Sequence, residues 1–328
     1  MNNKVYIHRL GDWYNLYMNK ENEAELLSFA EVVSEDSRKE PMSEDQLLSR
    51  MEGARVILSL NGVGASEITN DVLRRLGTVE LIVISHWWGQ FDDTEAETGI
   101  RVIEGSNANT VAVAEWTLAA ALMGVRKMNM FDFRLKSGSP WGEPRRTVGM
   151  LAESTVGLVG LGRIGRYVAR YMRFLGARVI VCDKVATEID AQELGVTLCR
   201  LEDVFSVSDI ISLHLPEIPS TLGLIGSKQF GLIKDGAVFI NSSRAGVYDE
   251  RALVEELKSG RFEAYIDVFS TEPIPTDHPL RTMKNVLITP HVAGDNIAMF
   301  RRCGREAIES IRKYFDTGAT ENRKHIFP

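Results

Sequence analysis

Arg244, Glu272 and His291 are the side chains whose types and settings could do chemistry together. In GAVFINSSRAG, an apolar run ends at Asn241 to Ser243 and then presents Arg244, a permanently charged planar fork able to grip a carboxylate in two parallel bonds. In EAYIDVFSTEPIPTDHPL, Asp267 sits at the end of a second run and Glu272 precedes a proline-rich loop. In NVLITPHVAG, Pro290 ends a third run and His291 follows it. A carboxylate beside a histidine stabilises imidazolium and raises the ring pKa from about 6.5, which makes a proton carrier near neutral pH. Each residue alone also has a plain reading: a surface arginine, a solvated loop glutamate, a packed histidine holding a strand end. Together they follow the carboxyl ends of consecutive strands in one expected sheet, where open α/β sheets bind their ligands.

A second constellation lies upstream, in GLVGLGRIGRYVARYMRFLGARVIVCD. Gly160, Gly162 and Gly165 form G-x-G-x-x-G after the strand-like TVGLV and before a helix face marked by Ile164, Val168, Met172 and Leu175. The first glycine allows the tight turn, the second lets backbone approach a pyrophosphate, and the third lets helix and strand pack closely. The helix amino terminus adds unpaired N–H groups and a positive dipole end, so Arg163 and Ile164 count with the glycines as cofactor-binding. Asp183, 18 residues after Gly165, ends the next strand where a carboxylate accepts from ribose hydroxyls and repels a 2′-phosphate. The expected cofactor is NAD, with Lys184 softening the discrimination against NADP. The plain alternative is a glycine turn with a surface aspartate.

The elements that must hold these residues are legible as alternating apolar runs and helical patterns. VYIH, RVILSL and VELIVIS mark strands in the first part; a helical pattern runs from Asn107 to about Arg134; then STVGLVG, ARVIVCD, SDIISLHLP, GAVFINSS, EAYIDVF and NVLITPH mark six more. A closing helix at about Ile297 to Phe315 returns toward the first part. The 328 residues exceed one ordinary core, so the expectation is α/β with two doubly wound parallel-sheet domains and a cleft between them. The substrate domain is expected over 1–104 plus 297–328, and the dinucleotide-binding domain over 105–296. A net charge of −7 without long like-charge blocks argues against a nucleic-acid surface. Cys182, Cys199 and Cys303 are widely spaced, which suits a reducing compartment and gives neither a disulfide framework nor a zinc spacing, so no metal is expected. MNNKVYIHRLGDWY lacks a basic start with an apolar run, and TVAVAEWTLAAALMGV contains Glu115 and is short for a membrane span; the expectation is a soluble, cytoplasmic protein.

With those residues in view, the sequence resembles the D-isomer-specific 2-hydroxyacid dehydrogenases, a family that includes phosphoglycerate, D-lactate and glyoxylate/hydroxypyruvate dehydrogenases. ANTVAVAEW, GSPW, TVGLVGLGRIG, HLPEIPSTLGLI, FGLIKDGAVFINSSRAG, YIDVFSTEP and NVLITPHVAG carry the resemblance, from about Gly99 to Gly294. It implies a flavodoxin-like substrate domain, a Rossmann NAD-binding domain, an active site between them, closure of the domains on substrate, and a homodimer formed through the long helices, for which AVAEWTLAAALMGV supplies an apolar helix whose plain reading is full burial within one chain. It implies Arg244 on the substrate carboxylate and carbonyl, His291 as acid/base, Glu272 paired with His291, Asp183 on the ribose, Thr221 and Ser242 in cofactor-lining loops, and Asp267 near the nicotinamide carboxamide. The implied reaction is hydride transfer between NAD(H) and C2 of a small D-2-hydroxy or 2-oxo acid. The resemblance also admits another small anion such as phosphite, or a nucleotide-sensing role of the corepressor type.

The chain departs from the family where a G-x-G-x-D-N-type substrate loop is common and it reads HWWGQFDD from His86, with Gly89 in clear correspondence. Asn296 and Ile218 stand where threonine is common. Trp88 is expected among the substrate-binding residues; Trp87 or Trp88 either lines the pocket or packs at a strand end or an oligomer contact. Asn61 and Gly62 are either backbone donors to the substrate carboxylate or an ordinary tight turn.

Overall fold

The structure is a computed structural model that describes residues 3–11, 13–60, 67–84, 91, 93–105, 107–141 and 148–320. The chain forms two compact units, one from Met1–Asn109 with Asn296–Pro328 and the other from Thr110–Asp295. Both chain ends therefore belong to the first unit. The divisions fall at 109/110 and 295/296, where the sequence placed them at 104/105 and 296/297. Local bonds account for the difference. The Asn107 N–H donates to Glu306 Oε2 at 3.1 Å, holding that stretch to the closing helix, and Asn296 caps the same helix by accepting from Met299 N at 2.8 Å.

The first unit is a five-stranded parallel sheet of order β2-β1-β3-β4-β5, with β1 Lys4–His8, β2 Glu31–Ser34, β3 Val56–Ser59, β4 Leu81–Ile84 and β5 Arg101–Glu104. VILS and LIVI are buried along their whole length, as strands covered by helices on both faces must be. The two strands absent from the sequence reading, β2 and β5, are the edges; EVVS is only partly covered and RVIE has charged ends, so neither stands out as an apolar run. Helices Glu44–Met51 and Asn70–Leu76 start at Ser43 and Thr69, whose hydroxyls accept from Gln46 N and Val72 N. The closing helix, Ile297–Thr317, packs into this unit, where Asn22 Nδ2 donates to Tyr17 O at 2.8 Å and Arg301 O at 3.0 Å.

The second unit is a seven-stranded parallel sheet of order β12-β11-β10-β9-β6-β7-β8. Its strands are β6 Thr155–Val159, β7 Arg178–Cys182, β8 Thr197–Leu198, β9 Ile210–Leu213, β10 Val238–Asn241, β11 Glu263–Ile266 and β12 Val286–Ile288. The six expected runs all form strands; β8 is a two-residue addition at the edge. Because β6 lies between β7 and β9, the chain leaves it in opposite directions on its two sides, which opens a crevice at its carboxyl end.

The single helix expected from Asn107 to Arg134 is two, Ala108–Val125 and Met128–Lys136. Lys127 breaks it with φ 53°, and its ammonium is held by the Gly236 carbonyl at 2.8 Å and Glu263 at 3.0 Å. Ala108–Val125 is long and apolar enough to cross a membrane by composition, yet half of it is buried inside the protein.

Candidate active site

Arg244 leaves the end of β10 through a turn made by Asn241, which has no exposed surface. Asn241 Oδ1 accepts from Ser243 N at 2.9 Å and Ser243 Oγ at 2.7 Å, while its Nδ2 donates to the Arg244 carbonyl at 3.0 Å. A buried asparagine with these bonds fixes where the arginine starts. The guanidinium itself is exposed and donates through Nη1 to Ser243 O at 2.7 Å.

His291 is placed by Asp267, the fully buried carboxylate after β11. Asp267 accepts from Thr289 Oγ1, from Val292 N at 2.9 Å and from Ala293 N at 2.8 Å, so one acid holds the loop on both sides of the histidine. With its neighbours pinned, His291 adopts the left-handed conformation at φ 55°, a backbone state costly for a residue with a Cβ.

Glu272 completes the pair. Its Oε1 accepts from Phe269 N at 2.9 Å and its Oε2 lies 2.7 Å from His291 Nδ1. Burial raises the Glu272 pKa, but the bonds from the His291 ring and the Phe269 N–H, with the charges of His291 and Arg244, outweigh it and hold the carboxyl below its ordinary range. An ionised carboxylate only accepts, so Nδ1 carries the hydrogen and Nε2 is the ring nitrogen left for a ligand.

Arg244, Glu272 and His291 line one cavity of about 320 Å³, together with Gly246, Phe269 and Glu217. Glu217 was passed over in the sequence, although an acid directly after HLP, in a loop at the carboxyl end of β9, was the available signal. It accepts from Gly246 N at 3.1 Å.

The glycine loop lies at the crevice beside β6. Gly160 has φ 101°, and a Cβ there would meet His214 O at 2.4 Å; a Cβ on Gly165 would meet Gly160 O at 2.3 Å. Both glycines are therefore demanded by packing. A Cβ on Gly162 would meet nothing within 4 Å, which leaves open space at the cap of helix Arg163–Phe174. Asp183 accepts from Leu161 N at 2.7 Å and from Val185 N and Ala186 N at 2.8 Å, tying the phosphate loop to the end of β7 and leaving the carboxylate half-buried. An open helix amino terminus beside this acid fits a pyrophosphate with its ribose.

Thr221 and Ser242 are both buried. The Thr221 hydroxyl donates to Pro216 O at 2.6 Å, closing its own turn, and Ser242 Oγ lies 3.2 Å from Thr117 Oγ1. Asn61, Gly62, Trp87, Trp88 and Gly89 lie outside the described residues.

Fold and site together define a dinucleotide-binding α/β protein with an arginine, a glutamate and a histidine at the carboxyl end of its sheet. Residues 118–293 match the NAD-binding domain of the D-isomer specific 2-hydroxyacid dehydrogenases, and the chain belongs to that family. It is 31% identical over 300 residues to a D-3-phosphoglycerate dehydrogenase of Methanocaldococcus jannaschii, covering 90% of this chain and 56% of that protein. With the Archaeoglobus fulgidus D-3-phosphoglycerate dehydrogenase the identity is 37%, over 60% of this chain and 37% of that one. The chain thus spans about half or less of these relatives' length. Among solved structures, a phosphoglycerate oxidoreductase from Rhizobium etli is similar with TM-score 0.82 and 26% identity, covering 98% of this chain and 97% of that one. A D-isomer specific 2-hydroxyacid dehydrogenase from Lactobacillus delbrueckii in its NAD-complexed form shares the fold at TM-score 0.78, with 24% identity over 97% and 99% of the two chains.

Proposed function

We propose that this protein is an NAD-dependent dehydrogenase interconverting a small D-2-hydroxy acid and its 2-oxo acid. The observation that carries the reading is the 2.7 Å contact between Glu272 and His291 Nδ1 in the cavity that Arg244 also lines. Gly160, Gly162, Arg163, Ile164 and Gly165 would hold the dinucleotide phosphates and Asp183 the adenosine ribose. When bound, the nicotinamide supplies or accepts the hydride at C2. Arg244 grips the substrate carboxylate and stabilises negative charge developing on the carbonyl oxygen. In reduction His291, as the imidazolium with a hydrogen on each nitrogen, donates its Nε2 proton to that oxygen; in oxidation the neutral ring takes the proton back at Nε2. Glu272 fixes the ring and the tautomer that leaves Nε2 available. The relatives named D-3-phosphoglycerate dehydrogenase put a phosphorylated acid on the list of substrates to try.

The test is NADH consumption by the purified protein against 2-oxo acids graded by side-chain size and charge, with NADPH and the His291→Gln variant alongside. His291→Gln is expected to keep NADH affinity while turnover falls by about 10²- to 10⁴-fold. An unchanged rate removes His291 from the chemistry, and NADH binding without turnover on any acid turns the reading toward a sensing role.

The chain is also proposed to form a homodimer. Helix Met128–Lys136 buries none of its residues, and Met128, Phe133 and Leu135 are 55%, 42% and 49% exposed. Met128 and Leu135, seven positions apart, share one side of this helix, and a second copy would offer the same side. Light scattering giving the mass of one chain at micromolar concentration would remove this part.

A further inference from the structure

Glu217 places a second carboxylate in the cavity that holds Arg244, Glu272 and His291. Its position is built. Glu217 Oε2 accepts from the Gly246 N–H at 3.1 Å, while the Gly246 carbonyl accepts from Gly223 N at 2.8 Å, so both backbone groups of Gly246 are engaged. A Cβ on Gly246 would lie 2.6 to 2.9 Å from the Glu217 carboxylate. The carboxylate therefore lies directly against the Gly246 backbone, and Glu217 is held beside the segment that starts at Arg244.

The charges on the cavity wall then decide what anion it accepts. Among the described lining residues Arg244 is the permanent cation, and the Glu272 carboxylate is matched by His291 when the ring is protonated. Glu217 has no such match there. One substrate carboxylate is met by Arg244. A second negative charge on the same substrate would meet the exposed Glu217 carboxylate in a cavity of about 320 Å³, where like charges set side by side repel.

Resting on the dehydrogenase reading, we infer that Glu217 is a specificity-determining residue that excludes dianionic substrates, so that the substrate is a 2-oxo or 2-hydroxy acid with an uncharged or cationic tail and neither a phosphate nor a second carboxylate. The phosphorylated acid in the relatives' names is, on this account, a poor substrate here.

The test compares oxaloacetate with its uncharged isostere 2-oxosuccinamate, and hydroxypyruvate with its phosphate ester, as NADH-dependent kcat/KM for wild type, Glu217→Gln and Glu217→Leu. Glutamine keeps an acceptor for the Gly246 N–H and removes the charge; leucine removes both. The ratio of dianion to neutral-tailed substrate is expected to rise about tenfold in Glu217→Gln, with the rise shrinking in high salt. A wild type that prefers the dianions overturns the assignment, as does a ratio unchanged in Glu217→Gln while Glu217→Leu lowers every substrate alike, which is the behaviour of a purely structural acid. A wild type that binds NADH and reduces no 2-oxo acid overturns the dehydrogenase reading itself, a result distinct from either.

Discussion

A carboxylate next to an imidazole acts through charge and through geometry, and at Glu272 the two can be separated. The pKa of Glu272 lies below the ordinary range because bonds from His291 and Phe269 N–H outweigh burial. A carboxyl whose folded pKa is lowered adds stability above its unfolded value and loses it as pH falls through the folded one. Glu272 therefore stays ionised throughout the neutral range. Glu272→Gln keeps an oxygen for the Phe269 N–H and removes the charge facing the ring; turnover is expected to fall about a hundredfold while NADH affinity stays close to wild type. Steady-state kinetics with an NADH titration check this, and an unchanged kcat would leave Glu272 a loop residue. Arg244, Glu272 and His291 were legible in the sequence because each follows an apolar strand end. Asp267 was legible as a strand-end acid, but its burial and its grip on residues 289–293 were not, since these depend on β12 lying against β11.

At the scale of the element, the glycine loop shows how one spacing serves different ends. Gly165 is pressed against the Gly160 carbonyl and Gly162 faces open space. Gly165→Ala is expected to destabilise the protein by about 1–3 kcal/mol, because backbone must move to admit the methyl group. Gly162 has φ −69°, so alanine fits its backbone and stability should stay within about 1 kcal/mol. The methyl group would instead stand where a phosphate approaches, and NADH affinity should drop about tenfold or more. Thermal melts paired with NADH titrations separate the two. Equal loss of stability in both variants would mean that the space at Gly162 is not a ligand's.

At the scale of the whole molecule, each unit carries a buried group that sets its response to acid. In the first unit, burial raises the Glu67 pKa, yet hydrogen bonds from Arg38, His8 and the Met42 N–H outweigh it and bring it to about 2. In the second, burial lowers the His214 pKa to about 3, and its Nε2 has no hydrogen-bond partner among the described residues. The unfolded chain binds a proton at Glu67 below about 4.3 and at His214 below about 6.5, where the folded chain still resists. Stability is therefore lost as pH falls, from about 6.5 toward 3 on account of His214 and from about 4.3 toward 2 on account of Glu67. Melting temperature should fall between pH 7 and 5 in wild type and less steeply in His214→Leu. Parallel curves for the two proteins would show that His214 does not control the acid limb.

The sequence by itself determined what local rules govern. The buried central strands, the glycine turn with its helix, the acid at the end of β7 and the three candidate reactive side chains all follow from residue size, backbone freedom and the alternation of apolar runs. Tertiary structure decided what depends on neighbours remote in the chain. It completed the first sheet with edge strands β2 and β5, whose polar ends hide them, and it interrupted the long helix at Lys127, where Gly236 and Glu263 receive the ammonium. It turned Asp267 into the clamp of the His291 loop and brought Glu217 against Gly246 in the cavity. Such contacts join segments that only the sheet order makes adjacent, and the order of parallel strands is set by packing of the whole unit, not by any short stretch of sequence.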